Sequence, residues 1–353
     1  MSSASANNPV PTLSALMELA NANWRVYDLG RKIQTIAKSE FALIEENKKP
    51  YPFPIQQKAR MAVVFWQDGQ SGPEARAQSF IWFLQFELDE MGLIKLQQRD
   101  HFISLVIKEL GSQFANVDDQ ASSTLDNHPY SFTPDQNRQA AFNGIVKRDL
   151  SQPASMYYEH AQTYFSGQIE LDRWQELSIQ GIADYCCRLD AGSNQAELIA
   201  ILPNLSVQIL SVLGACLEHQ VIGLPLTQAI ISTLNQRLEE GDKESAFYLL
   251  RALAGSKSVA VVETEIQTML ESELVSDISL FIVLAGRFWS YFNNKEIMHL
   301  LFDKLASNHD QELFNGIFSD LVAVPEVRLQ VLSLLRDPTR PESVSRAIGG
   351  IFK

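Results

Sequence analysis

At 353 residues the chain is too long for one ordinary core, since single cores stop growing at roughly 250–300 residues, and two units are expected. Its 46% hydrophobic and 20% charged residues place it among folded proteins, and no apolar run approaches the ~20 residues of a membrane helix. A net charge of −13 repels phosphate backbones and anionic lipids, which argues against nucleic-acid or membrane binding as the main role.

The start, MSSASANNPVPTL, has neither a basic n-region nor an apolar h-region, so a secretory signal is not expected and the cytoplasm is. Next, TLSALMELANAN reads as a short amphipathic helix capped by Thr12 and broken by its asparagines. In WRVYDLGRKIQTI the apolar residues Val26, Leu29 and Ile33 are too irregular to choose strand or helix by period. The prolines of KKPYPFP impose an extended segment. MAVVFW, β-branched and aromatic, predicts a strand ended by the turn residues of QDGQSGP. FIWFLQFELDEMGLI sets Phe80, Trp82, Leu84, Phe86 and Leu88 on alternate positions of one strand face. Ile81 and Phe83 open the other face and Gln85, Glu87 and Asp89 follow, so burial on both faces at the start and on one face later is expected. A turn at Gly92 and an amphipathic helix around RDHFISLVIKELG complete a small α/β domain over residues 1–111.

Residues 112–134, polar and without periodicity, read as a linker. From 135 to 353 the period is helical. DRWQELSIQGIADYCCRL sets Trp174, Leu177, Ile182, Tyr185, Cys186 and Leu189 on one stripe. PLTQAIISTLNQRLEEG places Leu226, Ile230, Leu234 and Leu238 likewise, with Gly241 to end the helix. KESAFYLLRALAG contributes Ala246, Leu249, Leu250 and Leu253, and KEIMHLLFDKLASN contributes Ile297, Leu301 and Leu305. Pairs begin near residues 195, 225, 258, 294 and 324, a spacing of roughly 30–36 residues that fits helical hairpins. A lone hairpin cannot bury both its apolar faces, whereas stacked hairpins bury them between neighbours. The fold class is therefore α+β, mostly α: the small domain followed by a HEAT- or armadillo-like array, with an irregular bundle as the rival.

Taken together, WRVYDLGRKI, KPYPFPIQQKARMAVVFW and FIWFLQFELDEMGLI resemble an uncharacterised bacterial family, domain of unknown function 3549. The likeness extends over most of the chain, with its distinctive phrases in the first hundred residues. It implies an intracellular bacterial protein of about this length, and it carries over no reaction, partner or catalytic residue.

Several residues still bear weighing as a site. Glu87 and Asp89, with Glu90 beside them and Asp28 and His101 as neighbours, could hold a hard cation or split their pKa values. The plainer reading is the solvated end of a strand. Phe288, Trp289, Tyr291 and Phe292 are more rings than one helix face hides, which makes Trp289 and Tyr291 candidate anchors for a partner. Cys216 and His219, at i and i+3 in CLEH, make an incomplete metal site and read more simply as a buried cysteine beside a helix-end histidine. Cys186 and Cys187 are adjacent, and there is no C-x-x-C. Phosphate-loop, dinucleotide, H-E-x-x-H and G-x-S-x-G patterns are missing. The sequence thus points to a non-enzymatic scaffold for a protein partner, with no cofactor or metal. The alternative is an enzyme or ligand sensor with a cleft between the domains lined by Glu87, Asp89 and Glu90.

Overall fold

The computed structural model describes residues 10–67, 79–115 and 128–351. The extreme amino terminus, the QDGQSGP turn after Gln67 and most of the expected linker lie outside the described residues. Contacts divide the chain into two compact units, Met1–Gly30 with Gln34–Thr133, and Arg31–Ile33 with Pro134–Lys353.

The first unit is a four-stranded antiparallel sheet of order β2-β1-β3-β4, formed by β1 Ala22–Asp28, β2 Gln34–Ile36, β3 Lys58–Gln67 and β4 Phe80–Glu87. Among the described residues three helices, α1 Leu13–Leu19, α2 Lys38–Glu45 and α3 Leu96–Ala115, accompany it. Leu16, Phe41 and Phe102 from these helices share one core with Trp24, Val26, Met61, Val63, Leu84 and Phe86 of the sheet. Thr12 caps α1 as its sequence suggests, its hydroxyl accepting from the Ala15 amide at 3.0 Å, and Asn21 leaves the helix at φ +51°. The stretch whose period was ambiguous runs from the interior strand β1 through a connection to the edge strand β2, with Leu29 and Ile33 between the two. In β1 Trp24, Arg25 and Val26 alternate in burial, but Tyr27 and Asp28 are as buried as Val26, so the alternation is lost after three residues.

The expected double-sided burial at the start of the aromatic strand is corrected. β4 is an edge strand, Phe80 is 59% exposed, and firm burial begins only at Leu84 and Phe86. Alternation reports which side chains share a face but not whether a strand is central. The free edge is blunted by residues 130–132: the Gln85 amide donates to the Tyr130 carbonyl at 2.8 Å and the Phe132 amide to that of Phe83 at 3.3 Å.

The second unit is helical. Its helices are α4 Gln136–Asp149, α5 Tyr158–Phe165, α6 Ile179–Cys186, α7 Asn194–Ile201, α8 Val207–Leu217 and α9 Leu224–Glu239. They continue with α10 Lys243–Ala252, α11 Val259–Glu271, α12 Ile278–Arg287, α13 Lys295–Asn308, α14 Gln311–Ala323, α15 Arg328–Ser333 and α16 Glu342–Ile351. The hairpin starts expected near 195, 225, 258 and 294 fall within one residue of the starts of α7, α9, α11 and α13, whereas 324 is the C-cap of α14, four residues before α15. Side-chain caps explain the boundaries: Asp135, Asp242 and Asp310 each accept an amide of the first helical turn at 2.9–3.1 Å. Gly241, at φ +80°, closes α9 with a Schellman pair, Gly241 N–H to Leu238 and Asp242 N–H to Arg237. One expected stripe is interrupted. A 3₁₀ turn at Leu171–Glu176 and a fresh cap at Ser178 separate Trp174 and Leu177 from the buried Ile182, Tyr185 and Cys186.

Alternate helices touch. α6, α8, α10, α12, α14 and α16 meet in turn as one layer, while α5, α7 and α9, and then α11 and α13, meet in another. Short connections reverse the chain between layers, and such alternate-neighbour contact is what stacked hairpins produce. The stack is tight where side chains are missing. A Cβ on Gly214 of α8 would stand 2.4 Å from the Tyr248 carbonyl oxygen of α10. Gly214→Ala should therefore cost about 1–3 kcal/mol by overpacking, read as a lower urea midpoint with an unchanged slope. Among the described residues no helix is long and apolar enough to cross a membrane.

Candidate functional site

The end of α8 carries the most unusual chemistry of the second unit. Helix α8 stops at Leu217, and Glu218, His219 and Gln220 follow before the chain pairs with the exit from α10. There the Ile222 amide donates to the Gly255 carbonyl at 3.0 Å and the Lys257 amide to that of Ile222 at 3.0 Å. Gly255 permits this approach, since a Cβ there would lie 2.2 Å from the Gln220 carbonyl oxygen. The arrangement turns the Glu218 carboxylate inward, fully shielded from solvent.

Two helix ends converge on that carboxylate. Arg251, in the last turn of α10, donates from Nε to Oε2 and from Nη2 to Oε1 at 2.7 Å. Arg287, the last residue of α12, donates from Nε to the same Oε2 at 2.6 Å. Cations at helix carboxyl ends are favoured by the helix dipole, so each arginine is well placed before it meets Glu218. Burial alone would raise the Glu218 pKa, but Arg287, His219 and Arg251 outweigh it and hold the group down to about 2. His219 is held down to about 3, by burial first and by Arg138, Arg287 and Arg251 after it, against the pull of Glu218. The neutral ring accepts the Ile33 amide at Nδ1, 3.2 Å away. Its Nε2 stands 3.2 Å from Glu218 Oε1 but makes no hydrogen bond, so the geometry is off-line.

The same row continues with the tripeptide Arg31–Ile33, which clusters with these helices. Arg31 is almost wholly buried. It donates to the Ala285 carbonyl at 3.2 Å and to Asp320 Oδ2 at 2.8 Å, and it sits 5.5 Å over the Trp289 ring. Burial lowers the Lys32 pKa, and Glu218 partly restores it. Glu218, Arg251, Arg287 and Asp320 fall about one repeat apart, on the ends of α8, α10, α12 and α14. A ladder of charge thus runs across successive hairpins.

The sequence candidates sit elsewhere or differently. Glu87 ends β4 in an exposed ion pair with Lys95 at 2.7 Å, which lowers its pKa. Asp89 spends Oδ1 on the Met91 and Leu93 amides at 2.9 and 2.8 Å, closing the turn. Glu90 is exposed beside it. Asp28 is buried and accepts from the Tyr51 hydroxyl at 2.7 Å, and His101 Nδ1 lies 2.8 Å from the Tyr130 hydroxyl. Each of these two is therefore engaged apart from the turn acids. Trp289 is only 6% exposed, with Nε1 donating to Glu326 at 3.1 Å. Tyr291 is half-buried, 5.7 Å from the Phe288 ring, and burial together with Glu263 pushes its hydroxyl up to about 12. Cys216 and His219 are both buried, and no cluster of three or more metal-ligating side chains occurs among the described residues. Between them in CLEH lies Glu218, a lone acid in an apolar run. That lone acid was the available signal, as were the lone arginines of YLLRALAG and VLAGRFW.

No curated protein and no solved structure matches the chain. A family model described as Protein of unknown function (DUF3549) matches residues 8–352. The chain accordingly belongs to that family of unknown function.

Proposed function

We propose that the protein is a non-enzymatic cytoplasmic scaffold whose helical-hairpin array offers an uncovered helix face to a protein partner. The observation that supports this reading is on α12. Ile278 and Ile282, one turn apart on the same side, are 47% and 55% exposed on a helix whose other side is core. Gly286, another turn along the same helix, adds open space beside them, since a Cβ there would meet nothing within 4 Å. Successive hairpins extend such a face beyond what one helix pair provides. Three free, buried cysteines suit a reducing compartment.

The test uses Ile278→Asp with Ile282→Asp. Affinity capture from lysate, repeated at higher salt, should recover a defined protein with the wild type and at least tenfold less with the double variant. The melting temperature should stay within about 2 °C, because exposed positions contribute little to stability. Equal recovery by both would remove this face from the reading. Empty captures, together with stabilisation by a nucleotide, metabolite or divalent ion, would favour the ligand-sensing alternative.

A further inference from the structure

We propose that the Arg251–Arg287 pair above Glu218 is an oxyanion-binding site for a phosphate or carboxylate group. Both guanidiniums converge on one oxygen, Glu218 Oε2, and each spends only part of its donor set inside the protein. Arg251 uses Nε and Nη2 on Glu218. Arg287 uses Nε on Glu218 and Nη1 on the Gly286 carbonyl at 3.1 Å. Among the described residues no partner meets Arg251 Nη1 or Arg287 Nη2, and the two side chains remain 28% and 18% exposed. Two rigid planar forks are thus fixed from behind by one carboxylate, with N–H groups left over. Planar forks of this kind match the paired oxygens of a carboxylate or phosphate.

The local charge points the same way. Arg251 and Arg287 both face the single carboxylate of Glu218, while the adjoining His219 is neutral. Two cations thus meet one anion there, inside a stretch that is otherwise acidic, with 14 basic and 25 acidic residues after position 150. A bound oxyanion supplies negative charge where the surrounding groups do not. The buried His219 Nε2, without a hydrogen-bond partner, adds an unused polar atom at the same centre. The inference does not depend on the scaffold reading, which concerns the face of α12.

The test titrates the full-length protein with sodium phosphate, and separately with sodium acetate, against sodium chloride of equal ionic strength. Phosphate should raise the melting temperature along a saturating curve. Arg251→Lys and Arg287→Lys each keep a cation facing Glu218 but lose the spare donors, so each should raise the half-saturating concentration at least tenfold. Arg173→Lys, at an exposed arginine paired with Glu176, should leave it unchanged. A matching rise with acetate assigns a carboxylate-sized site, and a rise with phosphate alone assigns the more highly charged ion. Should the lysine variants fail to fold, phenylglyoxal labelling of the wild type gives an independent readout. Phosphate should slow modification of Arg251 and Arg287 several-fold relative to Arg173. A rise no greater than that with chloride, retention of the effect in both folded lysine variants, or equal labelling rates overturns the proposal.

Discussion

Glu218→Gln is expected to destabilise the helical unit by about 3 kcal/mol, one of the largest single-residue losses anticipated in the chain. Breaking a buried ion pair by removing one partner costs about 3–5 kcal/mol, because the remaining charge stays desolvated and unpaired. Here two arginines are left behind, but their 28% and 18% exposure lets water reach them, which puts the loss at the lower end of that range. Urea unfolding should show the midpoint falling at constant slope. Replacing Glu218, Arg251 and Arg287 together by methionine should recover much of the loss, since apolar groups of similar volume carry no desolvation cost. If Glu218→Gln alone is neutral, the carboxylate is not the support that its geometry implies.

The second large effect is on acid stability. His219 titrates near its ordinary value of 6.5 when unfolded and near 3 when folded, so between those limits the unfolded chain binds more protons. Stability from this group is complete above about pH 6.5 and is lost as pH falls toward 3. Glu218 adds to it in the same direction, its contribution present above its ordinary 4.5 and lost as pH falls through about 2. At ~1.4 kcal/mol per pH unit, the histidine alone removes roughly 3 kcal/mol by pH 4. Glu45 works in the opposite direction. Burial raises its pKa, so its charged form costs stability as pH rises, despite the Leu13 and Ser14 amides and the Ser14 hydroxyl that donate to it. The informative quantity is therefore the difference between wild type and His219→Gln, which keeps an acceptor for the Ile33 amide. Melting temperatures at pH 7, 6, 5 and 4 should show a steeper decline in the wild type. Parallel curves would mean that His219 is not held neutral by its surroundings.

Hairpin positions were legible because caps, prolines and glycines mark helix ends in the sequence itself, as Asp242 and Gly241 do for α10 and α9. Stripes such as Ile297, Leu301 and Leu305 were legible because one helix carries the whole pattern, and all three are buried. The strand β1 was not legible, since its alternation lasts only from Trp24 to Val26 before Tyr27 and Asp28 are buried in succession. Nor could alternation assign β4 to the edge, because strand order is set by pairing between distant residues. The charge ladder escaped for a related reason. Glu218 and Arg287 lie 69 residues apart, and each looks alone like a solvated charge or an accident in an apolar run. Only stacking brings them together. Trp289 and Tyr291 were conspicuous as a cluster of rings, yet Trp289 fills the space over Arg31.

The scaffold reading rests on successive hairpins lying against one another, and a double-mutant cycle between Glu218 and Arg287 tests that most directly. With Glu218→Gln, Arg287→Gln and the double variant, unfolding free energies should reveal a coupling of about 1–3 kcal/mol, as for side chains in direct contact. Additivity within ~0.5 kcal/mol would mean that the two ends do not meet, and it would contradict the stacked array.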